Sequence, residues 1–313
     1  MNKNFFLILP LILLVLISAC KADETPEPEP MTIVETAQAT PDLSLLVEAV
    51  IAANLVDALN SGTFTVFAPN NAAFQALLDS DPTWNTVADI PVSVLTSVLL
   101  FHVVEGEVRA ADLTDTYVKT LSAGPNSSFY SLQVAVTGGV TFNGGTLPLT
   151  TDIQTSNGVV HIIDEVMMPQ SLVGFALNNP NFSTLVAALT RPSFNGAYVG
   201  ALSMAGPFTV FAPTNQAFQD LLDSNPAWNS LADIDDATLG AVLNYHVFVA
   251  GNVSASQLTE GQVITMYGSG DIVINLTNGA QILTSSSQTV NITFTDVQGT
   301  NGVIHVIDQV LLP

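Results

Sequence analysis

Four histidines and one cysteine are the residues of this 313-residue chain from which catalysis or metal binding would first be built. The histidines stand at His102, His161, His246 and His305, and the second pair repeats the first 144 residues later. His161 and His305 lie in two nearly identical phrases, NGVVHIIDEVMMP ending at Pro169 and NGVIHVIDQVLLP ending at Pro313. Each phrase carries an Asp three residues after its His, Asp164 and Asp308. A His–Asp pair invites an acid–base dyad, and a duplicated one invites two active sites. Strand geometry argues the other way. In GVVHIID, Val159, His161 and Ile163 share one face of a strand, whereas Val160, Ile162 and Asp164 share the other. A zinc site needs three or four converging ligands, and each half of the chain offers two histidines and no cysteine.

The expected roles are therefore structural. His161 and His305 read as half-buried side chains donating to backbone carbonyls, and Asp164 and Asp308 as acceptors for backbone N–H groups near the last strand. No catalytic residue, metal ligand or cofactor is assigned. Nucleophile elbows, His-Glu-x-x-His, P-loops and dinucleotide fingerprints are all missing from the sequence. DSDPTWN at Asp79–Asn85 fails as a calcium loop, because Trp84 stands where Gly is required and Ile90 where a bidentate Glu belongs. The chain reads as a non-enzyme.

The single cysteine, Cys20, closes the stretch ISAC after a short basic start and an apolar run from Phe5 to Ile17. That is the layout of a secretory signal, and ISAC resembles the lipobox of bacterial lipoproteins, which implies lipidation of Cys20. Residues 1–19 then read as signal peptide, and 20–31 as an acidic, Pro-rich tether. The membrane becomes a partner through that anchor, with an outer-membrane or cell-surface location expected. Asp and Glu number 27 against five Lys and Arg, a formal net charge of −22. So acidic a surface repels phosphate backbones, which argues against nucleic-acid binding.

The elements that position the histidines are themselves written twice. FTVFAPNNAAFQALLDSDPTWNTVADI starts at Phe64 and FTVFAPTNQAFQDLLDSNPAWNSLADI at Phe208. Upstream, Pro41 faces Pro180, so the second copy holds five extra residues within TRPSFNGAYVGALSMAG. Two tandem domains follow, 32–169 and 170–313. In each, helical spacing dominates the first half and β-branched residues with Gly turns the second, which reads as α+β. Asp42 is a candidate cap for a helix bearing Leu43, Leu46, Val47 and Val50; Asn70 and Thr214 are candidate caps for the helices after FTVFAP.

GTFTVFAPNNAAF and GPFTVFAPTNQAF resemble the first signature of the fasciclin domain, and the two NGV phrases resemble its closing one. Phe101-His102 and Tyr245-His246 stand where that family has a Tyr-His pair. The resemblance implies a two-sheet wedge of about seven strands with helices packed on one side, and extracellular adhesion or binding. It also makes Tyr245, His246, Phe101 and His102 candidate binding residues, although Phe101 lacks the hydroxyl of the pair. The function expected is lipid-anchored adhesion, or matrix and biofilm binding, to surface proteins, matrix proteins or polysaccharide. Two alternatives stay open, a periplasm-facing small-ligand carrier or sensor and a structural spacer; ligand and oligomeric state are undetermined.

Overall fold

The computed structural model describes residues 29–268 and 270–313. Cys20 and the signal segment lie outside the described residues. The first domain runs α1 (Ile33–Ala39), α2 (Ser44–Ala52), α3 (Val56–Asn60), β1 (Phe64–Pro69), α4 (Asn71–Asp79), α5 (Val92–Phe101), β2 (Val103–Glu105), β3 (Thr116–Ala123), β4 (Phe129–Ala135), β5 (Thr141–Phe142), β6 (Pro148–Thr155) and β7 (Gly158–Ile163). The second runs α6 (Leu172–Asn178), α7 (Ser183–Leu189), α8 (Ala197–Leu202), β8 (Phe208–Pro213), α9 (Asn215–Asp223), α10 (Asp236–Asn244) and β9 (Val247–Phe248). It closes with β10 (Val263–Thr265), β11 (Asp271–Asn275), β12 (Gln281–Thr284), β13 (Thr289–Gly299) and β14 (Gly302–Ile307). Each domain is thus α+β with seven strands and a helical layer.

Local chemistry sets most boundaries. Thr32 and Glu35 close a reciprocal capping box at the start of α1. Asn70 accepts from Ala73 N at the start of α4, and Thr214 from Ala217 N at α9. Asp42 does not cap α2. It falls inside a 3-10 turn over Pro41–Leu43, and the free N–H of Leu45 is taken instead by the Asn71 side chain, 26 residues away. A tertiary contact therefore does the work that spacing assigned to a neighbour. The five extra residues of the second copy lie between α7 and β8. There a 3-10 turn over Pro192–Phe194 and α8 replace the short α3.

Strand order in the first sheet is β5-β4-β3-β2-β1-β7-β6, and in the second β10-β11-β12-β13-β14-β8-β9. The two long-range parallel pairs, β1 with β7 and β8 with β14, join the two repeated motifs side by side. Five of the six residues of β1 and all six of β7 are buried. Alternating polar letters in FTVFAP therefore do not mark a wet face, because the strand is covered on both sides. One side meets the helices through Val66, Ala68 and Val160. The other meets a second cluster inside the curled sheet, where Phe67, Phe101, Leu132 and Phe142 pack. Gly158 is required at the start of β7: its φ is +144°, and a Cβ there would stand 1.8 Å from the Phe64 carbonyl oxygen.

Candidate functional site

The histidines are structural joints with both ring nitrogens engaged. His102 ends α5; its Nδ1 lies 2.7 Å from Val98 O, and its Nε2 accepts from Met167 N at 2.8 Å. His246 repeats the arrangement with Val242 O and Leu311 N at 2.7 and 2.9 Å. An acceptor on one side and a donor on the other fix the tautomer, with Nδ1 protonated. Burial pushes each of these imidazoles down to about 4, against the opposing pull of the helix carbonyl. Each ring thereby ties the end of a helix to the loop after the last strand.

His161 and His305 take the opposite tautomer. Nε2 of His161 lies 2.9 Å from Val108 O, and Nδ1 accepts from Asp152 N at 3.3 Å. His305 does the same with Val253 O and Asp296 N, at 2.9 and 3.4 Å. Both rings are fully buried rather than half-buried, because they stack on Phe67 and Phe211 inside the curled sheet. Burial lowers the pKa of His305, opposed by Val253 O and the Asp296 carboxylate. Asp164 turns away from its histidine and accepts from Leu147 N at 2.7 Å; Asp308 accepts from Asn291 N at 2.9 Å and Asn291 Nδ2 at 2.6 Å. No dyad forms.

The four residues at the family's Tyr-His position are buried. Phe101 has no exposed surface, Tyr245 is 1% exposed, His102 2% and His246 4%. The Tyr245 hydroxyl donates to Asp271 O at 2.7 Å. A partner would have to open the domain to touch any of them, so the binding role implied by the resemblance gives way here to packing. Among the described residues, no group of three or more His, Cys, Asp or Glu side chains converges as metal ligands would.

Sequence reasoning passed over Asn157 and Asn301, which open the repeated phrase. Asn157 accepts from Ile33 N and donates to Leu59 O and Gly62 O, binding α1, the end of α3 and the loop before β1 together. Asn301 does the same with Leu172 N, Leu202 O and Met204 O. Their repetition at the same offset was the available signal.

Room for a partner lies in two places, a cavity of about 440 Å³ within the second domain between α9 and the loop after β14, and the seam between the domains. Tyr117 of β3 packs edge-on against Phe175 at 5.5 Å and tilts against Phe294 at 5.8 Å. Its hydroxyl accepts from Asn179 Nδ2 at 2.6 Å, and burial pushes the phenol up to about 12. Ser131 Oγ of β4 accepts from Gln298 N at 2.9 Å and donates to Asp296 O at 3.3 Å, so the ribbon of one domain covers β13 of the other. Gln133 Nε2 donates to Asn178 O at 3.0 Å, and Asn143 Nδ2 reaches Met168 O in the join at 2.7 Å. Cavities of about 340 and 250 Å³ flank this seam, and both are lined by Tyr117 and Phe294. By contrast, the apolar cavities beneath the helical layers hold only about 40 Å³ each.

Comparison with known proteins places these features. The fasciclin domain profile matches residues 41–169 and again 180–313. The transforming growth factor-beta-induced protein ig-h3 of Sus scrofa is 30% identical over 264 residues, covering 80% of this chain and 35% of that protein. The immunogenic protein MPB70 of Mycobacterium bovis is 34% identical over 155 residues, 48% of this chain and 68% of its own length. This chain therefore spans about a third of the larger relative. Among solved structures, a FAS1 domain pair from the insect cell adhesion molecule Fasciclin I superposes with a TM-score of 0.55. That match covers 87% of this chain and 97% of the insect chain at 20% identity, which speaks to fold alone. No helix among the described residues is long and apolar enough to cross a membrane.

Proposed function

Because the chain belongs to the fasciclin domain family, we propose that it is an exported adhesin held to the cell envelope by a lipid on Cys20, with both domains outside the membrane. Its partners are surface or matrix proteins or polysaccharide, and its work is attachment rather than chemistry. The observation that carries this reading is the inter-domain seam. Hydrogen bonds through Ser131, Gln133 and Asn179, and the packing of Tyr117 on Phe175 and Phe294, join the domains into one unit. Two modules held in register present their surfaces together, so that weak contacts add without a further ordering cost. The acidic, hydroxyl-rich exterior suits exposure to salt and solvent. All four histidines are spent on backbone groups, which leaves the repeated phrases a role in closing the fold.

The test joins location to attachment. A tag at the C-terminus is exposed to protease on intact cells, and retention on a surface is compared with and without the chain. Tag cleavage with a periplasmic control spared, together with reduced retention when the chain is deleted or Cys20→Ala is introduced, is the expected result. A fully protected tag would sink the surface reading and turn the search to periplasmic ligands.

A further inference from the structure

We propose that the seam between the domains is a saccharide-binding cleft that takes an oligosaccharide bearing an acidic sugar, with Lys119 meeting the carboxylate. The proposal rests on the adhesion reading and names the ligand class. Its larger cavity, of about 340 Å³, falls within the range of about 300–1,000 Å³ that small-molecule sites occupy. Eleven of its fifteen lining residues carry a hydroxyl or amide group, Tyr117 among them; three are aromatic and two are charged. That composition matches a sugar ring, whose C–H face needs an aromatic platform and whose rim needs donors and acceptors. Phe294, 36% exposed, offers the platform. Asn126 and Thr295 make no side-chain hydrogen bond within the described residues, so their polar atoms are available to a ligand.

One further observation points to a ligand. Of the three cations among the described residues, Arg109 is paired with Glu107 and Arg191 with Asp236. Lys119 has no carboxylate within 4.0 Å among those residues; it is an exposed side chain on the wall of the larger cavity, its Nζ 4.4 Å from the centre of the Phe129 ring. In a chain of net charge −22, an ammonium at a cleft with no carboxylate partner is, among the described residues, the cation left to draw an anion. Two carboxylates border the clefts, Asp296 accepting from Ala255 N and Asp115 from Val136 N and Thr137 N; these bonds leave their negative charge in place, and in the larger cavity Lys119 offsets Asp296. The acidic exterior selects against a densely charged polyanion, so the ligand carries isolated carboxylates between neutral sugars.

Both walls are needed, one from each domain, so the site exists only in the tandem chain. The experiment titrates the full chain by calorimetry with a hexasaccharide alternating uronate and N-acetylhexosamine, and with its carboxyl-reduced counterpart. Wild type is expected to give saturable heat with the acidic probe, and Lys119→Gln to weaken it at least fivefold. The same variant should leave the carboxyl-reduced probe unchanged. Ser256→Trp, at an exposed position on the cavity wall, should abolish both while the melting temperature stays within a few degrees. No saturable heat at millimolar probe, or equal binding by wild type and Lys119→Gln, would overturn the proposal. Loss of heat with surface retention intact would remove the cleft and leave the adhesion reading standing.

Discussion

The two domains are the same closed ribbon cut at different places. Matched by residue, β8, β9 and β10 to β14 of the second domain correspond in turn to β1 to β7 of the first. Both sheets then follow one cyclic order, but the first is open between β5 and β6 and the second between β9 and β10. Each gap is nearly closed. An isolated bridge from Phe142 to Thr146 spans the first, and a hydrogen bond from Tyr267 N to Val247 O spans the second. What differs in use is the edge. In the second domain β13 pairs with β12 only over Thr289–Asn291, and the free side of its remaining half is covered by β4 of its neighbour, whereas its counterpart β6 leaves Leu149 54% exposed. The interiors repeat because closing the fold demands the same groups twice; the edges diverge because only one of them has a partner within the chain.

The largest effect should come from testing the interiors where they look most alike. Gly158 and Gly302 open the two last strands, and a Cβ at either would strike a carbonyl oxygen, at 1.8 Å from Phe64 O and 2.3 Å from Phe208 O. Only Gly158 also has a φ of +144°. Gly158→Ala should therefore cost roughly 3 kcal/mol or more, and Gly302→Ala less. Each domain has its own reporter, Trp84 in the first and Trp228 in the second, so urea unfolding followed in single-Trp variants separates the two. Equal losses at both sites would mean that the clash alone, and not the backbone conformation, governs the cost.

How much of this was legible beforehand follows the same division. The repeated phrases, the tandem α+β domains and the opposed directions of His161 and Asp164 could be read because they rest on period and offset. Full burial of His161 could not, since it depends on Phe67 and on Val108, 53 residues away. Asn71 in place of Asp42 at α2 has the same cause: local spacing nominates a cap, but a distant side chain takes the N–H. The seam was invisible for a stronger reason. Tyr117, Ser131 and Phe294 lie in positions that the repeat does not share, so nothing in either copy pointed to the other.

Next in size is a property the domains should have in common. His102 and His246 have folded pKa values near 4 against an ordinary 6.5. Between those values the unfolded chain binds protons that the folded chain refuses, so stability is complete above pH 6.5 and is lost as pH falls toward 4. Each histidine accounts for up to roughly 3 kcal/mol across that window. His305, also lowered by burial, adds in the same direction. The urea midpoint should drop for both Trp reporters between pH 7.5 and 4.5, and further for Trp228, whose domain also holds His305. A flat response would show that the rings are reached by water or protonate without leaving their joints.

The smallest effect asks whether the edges differ as the contacts say. Phe294, on the covered edge, packs against Tyr117 at 5.8 Å, and Phe294→Ala should cost roughly 1–2 kcal/mol, since it is only partly buried. Leu149, on the open edge, has no such neighbour, and Leu149→Ala should fall within about 0.5 kcal/mol of wild type. Thermal melts of the full chain measure both. The loss at Phe294 should also pull the two Trp-reported transitions apart, because the ring lies in the contact through which one domain stabilises the other. A measurable cost at Leu149 would mean that the open edge is covered in solution by a second copy, which concentration dependence of the melt would reveal. The asymmetry then would belong to one chain and not to the assembly.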